Sequence, residues 1–337
     1  MKIVSFIGFI VAVLLFSGCS SKQYFEPEQT LSPSSASRSY GGTVVDLSRD
    51  GATLKNGHYI GKSGVNNINL GEGYRFLNES PRYILATNAE GTLKIIDRKT
   101  KETVRLVSLH VPVVSASIKE GIVAYILNNN TFGIYQIADN KKVIESRSEK
   151  TFAIDTRAAS PMFIDTLVVM PMLDGKLIIV SAADTENAKV VYISSKSVFN
   201  NVIYLSRMGN TMVAATPTKL MTLGNEGKKE YKANISEVAI ANDKIYLFTK
   251  EGEIMRLNTN LQAVNISKYK FAHFSAAVAL NSGVYALDQQ GSLIVLNDNL
   301  SQHKIYDLGK VDEPVFIAGS KLYKDGKVIE LSKLGYK

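Results

Sequence analysis

Side chains suited to chemistry are few in this sequence and poorly spaced for it. Four histidines, His58, His110, His273 and His303, lie far apart and show no ligand spacing. Carboxylates such as Asp165 and Asp174 suggest general acid–base work or calcium binding, but no dense oxygen-donor loop surrounds them. Turn aspartates commonly bond their own backbone instead. No HExxH, GxSxG, GxxxxGK[ST] or GxGxxG occurs; GKSG at 61–64 lacks the hydrolase spacing, and GEG at 71–73 reads as a turn. The single cysteine, Cys19, excludes an intrachain disulfide, a CxxC redox site and a multi-cysteine zinc site. The sequence therefore assigns no catalytic residue, metal ligand or cofactor site, and the chain reads as a non-enzyme. A composite site built from distant residues around a common axis stays open.

What would position such residues is a repeated hairpin. The 337 residues are 45% hydrophobic and 21% charged, enough apolar material for a buried core and too much for a disordered chain. A strand, a polar turn with Gly, and a second strand with apolar residues at fixed offsets recur along it. Gly91 is followed by Leu93 and Ile96, Gly175 by Leu177 and Val180, and Gly252 by Ile254 and Leu257. Gly291 is followed by Leu293 and Leu296, and Gly326 by Val328 and Leu331. Two degenerate copies centre on Asn130, with Phe132 and Tyr135, and on Thr218, with Leu220 and Leu223. The mean spacing from 91 to 326 is 39 residues, close to one four-stranded propeller blade.

Glycine or asparagine at the turn supplies the positive φ of a tight hairpin, and β-branched and aromatic strands lie between. No convincing amphipathic helix intervenes, which disfavours a parallel sheet with crossover helices. The fold expected is all-β: a propeller of four-stranded blades, seven by the repeat count. An eighth follows if residues 43–68 form a blade of their own. TVVDLS or ATLKNGHYI near the N-terminus is expected to complete the three-stranded last blade and close the ring. Pro171, inside a strand, should mark an edge or a bulge.

The N-terminal residues carry an address. Lys2 precedes the apolar run Ile3–Phe16, and the small residues Ser17 and Gly18 lead into Cys19. This is the layout of a secretory signal, and the run is shorter than the roughly 20 residues that span a bilayer. FSGC at 16–19 resembles the lipobox of bacterial lipoproteins, with Phe16 where that family usually has Leu. The resemblance implies cleavage before Cys19 and lipidation of its sulfur and new amino terminus. Ser20, not Asp, follows the cysteine; by the sorting rule of enteric bacteria this implies an outer-membrane anchor facing the periplasm, with the inner membrane left open. Residues 1–18 are then the signal peptide, 19–42 a lipidated tether rich in Ser, Gln, Pro and Gly, and 43–337 the propeller. Extended, the tether would reach about 60 Å.

The repeat itself, often ending in Asp97, Asn258 or Asn297, resembles the PQQ-like repeat of β-propellers. Quinone enzymes of that kind typically carry Trp and often a vicinal disulfide; this chain has no Trp and one Cys. Together with the lipobox, the pattern is similar to the BamB family, the propeller lipoproteins of the outer-membrane β-barrel assembly machine. That resemblance implies a periplasmic, non-enzymatic scaffold that docks onto envelope proteins. No partner-contact residue can be carried over. A propeller enzyme with an axial site, or a structural lipoprotein of another envelope complex, remains an alternative. The net charge of +8 comes from dispersed lysines, not a basic stripe, so nucleic acid is not the expected partner.

Overall fold

The structure, a computed structural model, describes residues 23–33, 38–151, 154–181, 187–196 and 198–336. The lipobox expectation at Cys19 and the signal segment before it lie outside the described residues. Within them, the chain forms eight antiparallel four-stranded sheets. In chain order, blades 1 to 7 span 44–66, 75–108, 113–147, 162–192, 204–232, 235–268 and 274–307. Blade 8 contains 316–330 and takes its outer strand, Arg38–Ser39, from the N-terminal side. The only helix among the described residues is a single 3₁₀ turn, Leu331–Lys333.

The blade count is thus eight rather than seven, and residues 44–66 are the additional blade. The closing strand also differs from expectation. TVVDLS and ATLKNGHYI supply strands within blade 1, whereas Arg38 and Ser39 pair with Val328 and Lys327. Tyr40, next in the chain, packs edge-on against Tyr323 at 5.4 Å and anchors this two-residue join.

Strand alternation explains the near-continuous apolar runs. In blade 2, Phe76, Ile84, Ala86 and Ile96 point to blade 1, while Leu77, Leu85, Leu93 and Ile95 point to blade 3. Each blade is buried on both faces, so both strand registers must be apolar. The result is eight apolar cores, one in each seam, and the ring closes where Val44, Leu54 and Ile60 of blade 1 meet Ala318 and Tyr323 of blade 8.

The recurring glycine joins one blade to the next. Gly91 and Gly291 sit between second and third strands at φ +80° and +97°. Their carbonyls accept the amides of Leu109 and Leu308, in the chain that leaves the blade for its neighbour. Asp97, Asn258 and Asn297 close the turns before the outer strands: each side-chain oxygen accepts two backbone amides.

Pro171 occupies neither an edge strand nor a bulge. It ends the second strand of blade 4, past Val169, the last residue paired with the inner strand Met162–Ile164. Its missing N–H has no ladder partner there.

Part of the stretch expected as a free tether is docked. The Leu31 amide donates to the Ile305 carbonyl at 2.9 Å, and the Leu31 carbonyl accepts the Asp307 amide at 3.0 Å. This is a parallel bridge onto the outer strand of blade 7, His303–Asp307. Phe25 meets Tyr269 edge-on at 5.8 Å and packs against the core between blades 6 and 7.

Candidate functional site

The inner strands surround an axial cavity of about 700 Å³. A local irregularity shapes its wall. In blades 1, 2, 3, 6 and 7 the pairing of inner to second strand skips one residue near the start, at Val45, Leu77, Val114, Ser236 and Ser275. Such a bulge kinks the strand, re-aims side chains and frees backbone groups from the ladder. Val45, Val114 and Ser275 accordingly line the cavity, and carbonyls beside the bulges are taken by side chains. Ser48 Oγ donates to the Leu77 carbonyl at 2.9 Å, an Arg75 guanidinium N–H to that of Val113, and one from Arg157 to that of Ser236.

Three arginines dominate the interior. Arg49, in the first turn of blade 1, donates two hydrogen bonds to the Glu237 carboxylate of blade 6, at 2.6 and 2.9 Å. Its guanidinium also lies 5.1 Å from the ring centre of Tyr204, on the inner strand of blade 5. Blades 1 and 5 are diametrically opposed in an eight-membered ring, so Arg49 reaches across the axis. Burial works against its charge, but the Glu237 carboxylate outweighs that and raises its pKa further. Arg75 pairs with Asp46 at 3.6 Å.

Arg157, in the connection between blades 3 and 4, is forked onto Asp155 with contacts of 2.6 and 2.7 Å. The buried Asn201 holds this connection: its Oδ1 accepts the Asp155 amide, and its Nδ2 donates to the carbonyls of Asp155 and Arg157. Arg49 and Arg157 therefore converge on residues 236–237 of blade 6 from different sides of the ring. The interior charges are spent on one another, leaving a cavity whose remaining wall is largely apolar: Val45, Leu47, Val114, Phe316 and Ile317.

Two aspartates that pair with the axial arginines, Asp155 and Asp46, titrate in opposite senses. Burial would raise the Asp155 carboxyl, but hydrogen bonds and charge from Arg157 outweigh it and hold its pKa below the ordinary value. Burial dominates at Asp46 and raises its pKa, with Arg75 offsetting only part. The depressed Asp155 value means that its stabilising contribution is complete above the unfolded value near pH 3.9. That contribution is lost as pH falls through the lower folded value. Asp46 imposes a cost at neutral pH that protonation relieves. Asp155→Asn is accordingly expected to flatten the acid limb of the stability curve below about pH 4. Urea midpoints of both proteins from pH 2.5 to 7 would check this; parallel curves would contradict it.

The residues singled out from sequence do not assemble. His58 lies in the turn of blade 1, its amide held by Asn56 Oδ1, and His110 is exposed beside Ser108 between blades 2 and 3. The His273 amide donates to Asp288 at the entry to blade 7, and the His303 ring meets Tyr269 edge-on at 5.5 Å. Asp165 and Asp174 occupy turns at opposite ends of the second strand of blade 4. Asp174 accepts Ser148 Oγ and pairs with Lys176, fastening the connection from blade 3. Among the described residues no group of three His, Cys, Asp or Glu could hold a metal ion, and no helix is long and apolar enough to cross a membrane.

The axial charges were absent from the candidates that the sequence offered. For Arg75 and Glu237 the signal was a charge inside an inner strand, in RFLNE and ISEVAIA; Arg49 and Arg157 lie outside the strands and carried no such signal.

Comparison with known proteins adds two kinds of likeness. No protein-family model matches the chain. The plasminogen-binding protein PgbB of Helicobacter pylori strain J99 is 27% identical over an alignment of 379 positions, covering 95% of this chain and 70% of its own. PgbB of strain 26695 is 26% identical with similar coverage. Among solved structures, BamB from Moraxella catarrhalis superposes with a TM-score of 0.66, covering 87% of this chain and 98% of its own. At 14% identity that likeness is one of fold. Sqt1 from Saccharomyces cerevisiae, at 12% identity and a TM-score of 0.63, shares the architecture equally well.

Outside the cavity, apolar side chains stand on several outer strands: Leu106 on blade 2, Val190 and Tyr192 on blade 4, and Val264 and Ile266 on blade 6. The outer strands of blades 3 and 5 differ. Lys141–Arg147 (KKVIESR) and Gly227–Lys232 (GKKEYK) are studded with lysine, a composition that discourages edge pairing.

Proposed function

We propose that this chain is a lipid-anchored envelope propeller that works by binding proteins, not by catalysis. The observation that carries the reading is the bridge at Leu31. The outer strand of blade 7 already takes a one-residue parallel bridge through two main-chain hydrogen bonds. Blades 2 and 4 present outer strands with exposed apolar side chains that suit the same mode of recognition. Anchoring through Cys19 would keep the propeller at the membrane and raise the effective concentration of partners there. The paired arginines support the non-catalytic reading, because the axial charges hold the ring together.

Two partner classes follow. The fold likeness to BamB supports a role in outer-membrane protein assembly. The sequence likeness to PgbB supports plasminogen as a ligand. Photo-crosslinkers at Leu106 and Val190 in intact cells, read by mass spectrometry, are expected to capture the assembly machinery or its clients. Purified lipoprotein on a sensor surface tests plasminogen directly. Capture of no envelope protein, together with no plasminogen binding, would defeat the scaffold reading. Radiolabelled palmitate entering the native protein but not Cys19→Ser is the expected result for the anchor.

A further inference from the structure

The docked N-terminal segment fixes how an anchored propeller faces its membrane. Phe25 is held against Tyr269, and Leu31 is bonded to the outer strand of blade 7. Only five residues lie between Cys19 and Phe25, six Cα–Cα steps in all. Fully extended, they reach about 20 Å. A tether free to residue 42 would leave the propeller far from the lipid; this one keeps the Phe25 cleft within about 20 Å of an anchored Cys19.

The surface beside the docked segment suits the position. Val264 and Ile266, 51% and 55% exposed, stand with Lys268 on the outer strand of blade 6, Val264 at a bulge in its pairing. Lys268 lines the same cleft as Phe25, Leu31 and His303, and Leu31 is itself 43% exposed. The nearby charges are mixed, with Lys268 and Lys304 against Glu26, Glu28 and Glu253. Apolar contact and short reach, not attraction to anionic headgroups, therefore set the geometry.

We propose that the propeller stands edge-on to the bilayer, with the rim of blades 6 and 7 toward lipid and that of blades 2 and 3 toward the aqueous compartment. This rests on lipidation of Cys19. It makes the outer strand of blade 2, where Leu106 is 60% exposed, the edge most accessible to soluble partners.

The chain lends itself to a direct test, because lipidation consumes its only cysteine. Val264→Cys and Leu106→Cys, each carrying a fluorescent donor, lie on blades four positions apart and so on opposite sides of the ring. The mature lipoprotein variants are reconstituted in phosphatidylethanolamine–phosphatidylglycerol vesicles containing an acceptor-labelled lipid. The donor at 264 is expected to lose most of its emission to the lipid acceptor, and the donor at 106 to keep most of its own. Adding Phe25→Ala and Leu31→Pro, which remove the ring contact and the donated amide, should bring the two efficiencies together. Equal transfer from both positions in protein that floats with the vesicles would overturn the edge-on orientation while leaving the anchor intact. Protein that fails to float would overturn the anchor, and the orientation with it.

Discussion

Gly291→Ala is expected to lower the unfolding free energy by about 3–5 kcal/mol, measured by urea denaturation. Two costs combine. Gly291 has φ +97°, and a Cβ there would lie 1.8 Å from the carbonyl oxygen of Gly309. That oxygen belongs to the connection leading into blade 8, whose Leu308 amide is bonded to Gly291 itself. The connection cannot withdraw without breaking the bond that registers one blade on the next. Gly309→Ala provides the contrast. Gly309 also has a positive φ, +71°, but a Cβ there meets nothing within 4 Å. Its cost should stay near the left-handed penalty alone, about 1–2 kcal/mol. Equal losses at the two positions would refute the close-approach argument.

The second large effect is expected at the axis. Glu237→Ala should destabilise the ring by about 2–3 kcal/mol, because it leaves Arg49 desolvated and unpaired. The side chains are 25% and 19% exposed, so water screens part of the loss. The double variant Arg49→Met, Glu237→Leu removes both charges and keeps the volume. It should recover most of the stability, since apolar replacements of buried pairs are often neutral or better. A double-mutant cycle on urea midpoints reads the coupling directly. Additive losses would show that the two groups do not depend on each other.

Architecture was legible in the sequence where one physical requirement repeated. Seven hairpin turns showed the same glycine, asparagine or threonine position with apolar residues two and five places on. The eighth did not. Gly57 is followed by Tyr59 at the second place but by Lys62 at the fifth, and three of the four strands of blade 1 are only three residues long. A strand so short presents too few alternating positions to register as a blade. The closing strand was illegible for a related reason. Arg38 and Ser39 join blade 8 through backbone pairing, while the apolar grip belongs to Tyr40.

The axial cluster was hidden by topology rather than by residue type. Arg49, Arg157 and Glu237 are spread over 189 positions, and only ring closure brings them together. The docking of Phe25 and Leu31 was hidden by its surroundings. Serine, glutamine and proline make the stretch read as a flexible leash, and two apolar residues carry no period. Composition measures what most of a segment lacks; docking depends on what two of its residues can reach.

The order of attachments along the N-terminal chain has a mechanical corollary. Any pull from the N-terminal side meets Phe25 and Leu31 on blades 6 and 7 before it meets the two-residue seam at Arg38 and Ser39. The seam is the join where peeling would open the wheel. The earlier grip acts as a strain-relief clamp does on a cable, bearing the load so that the fragile junction behind it stays slack.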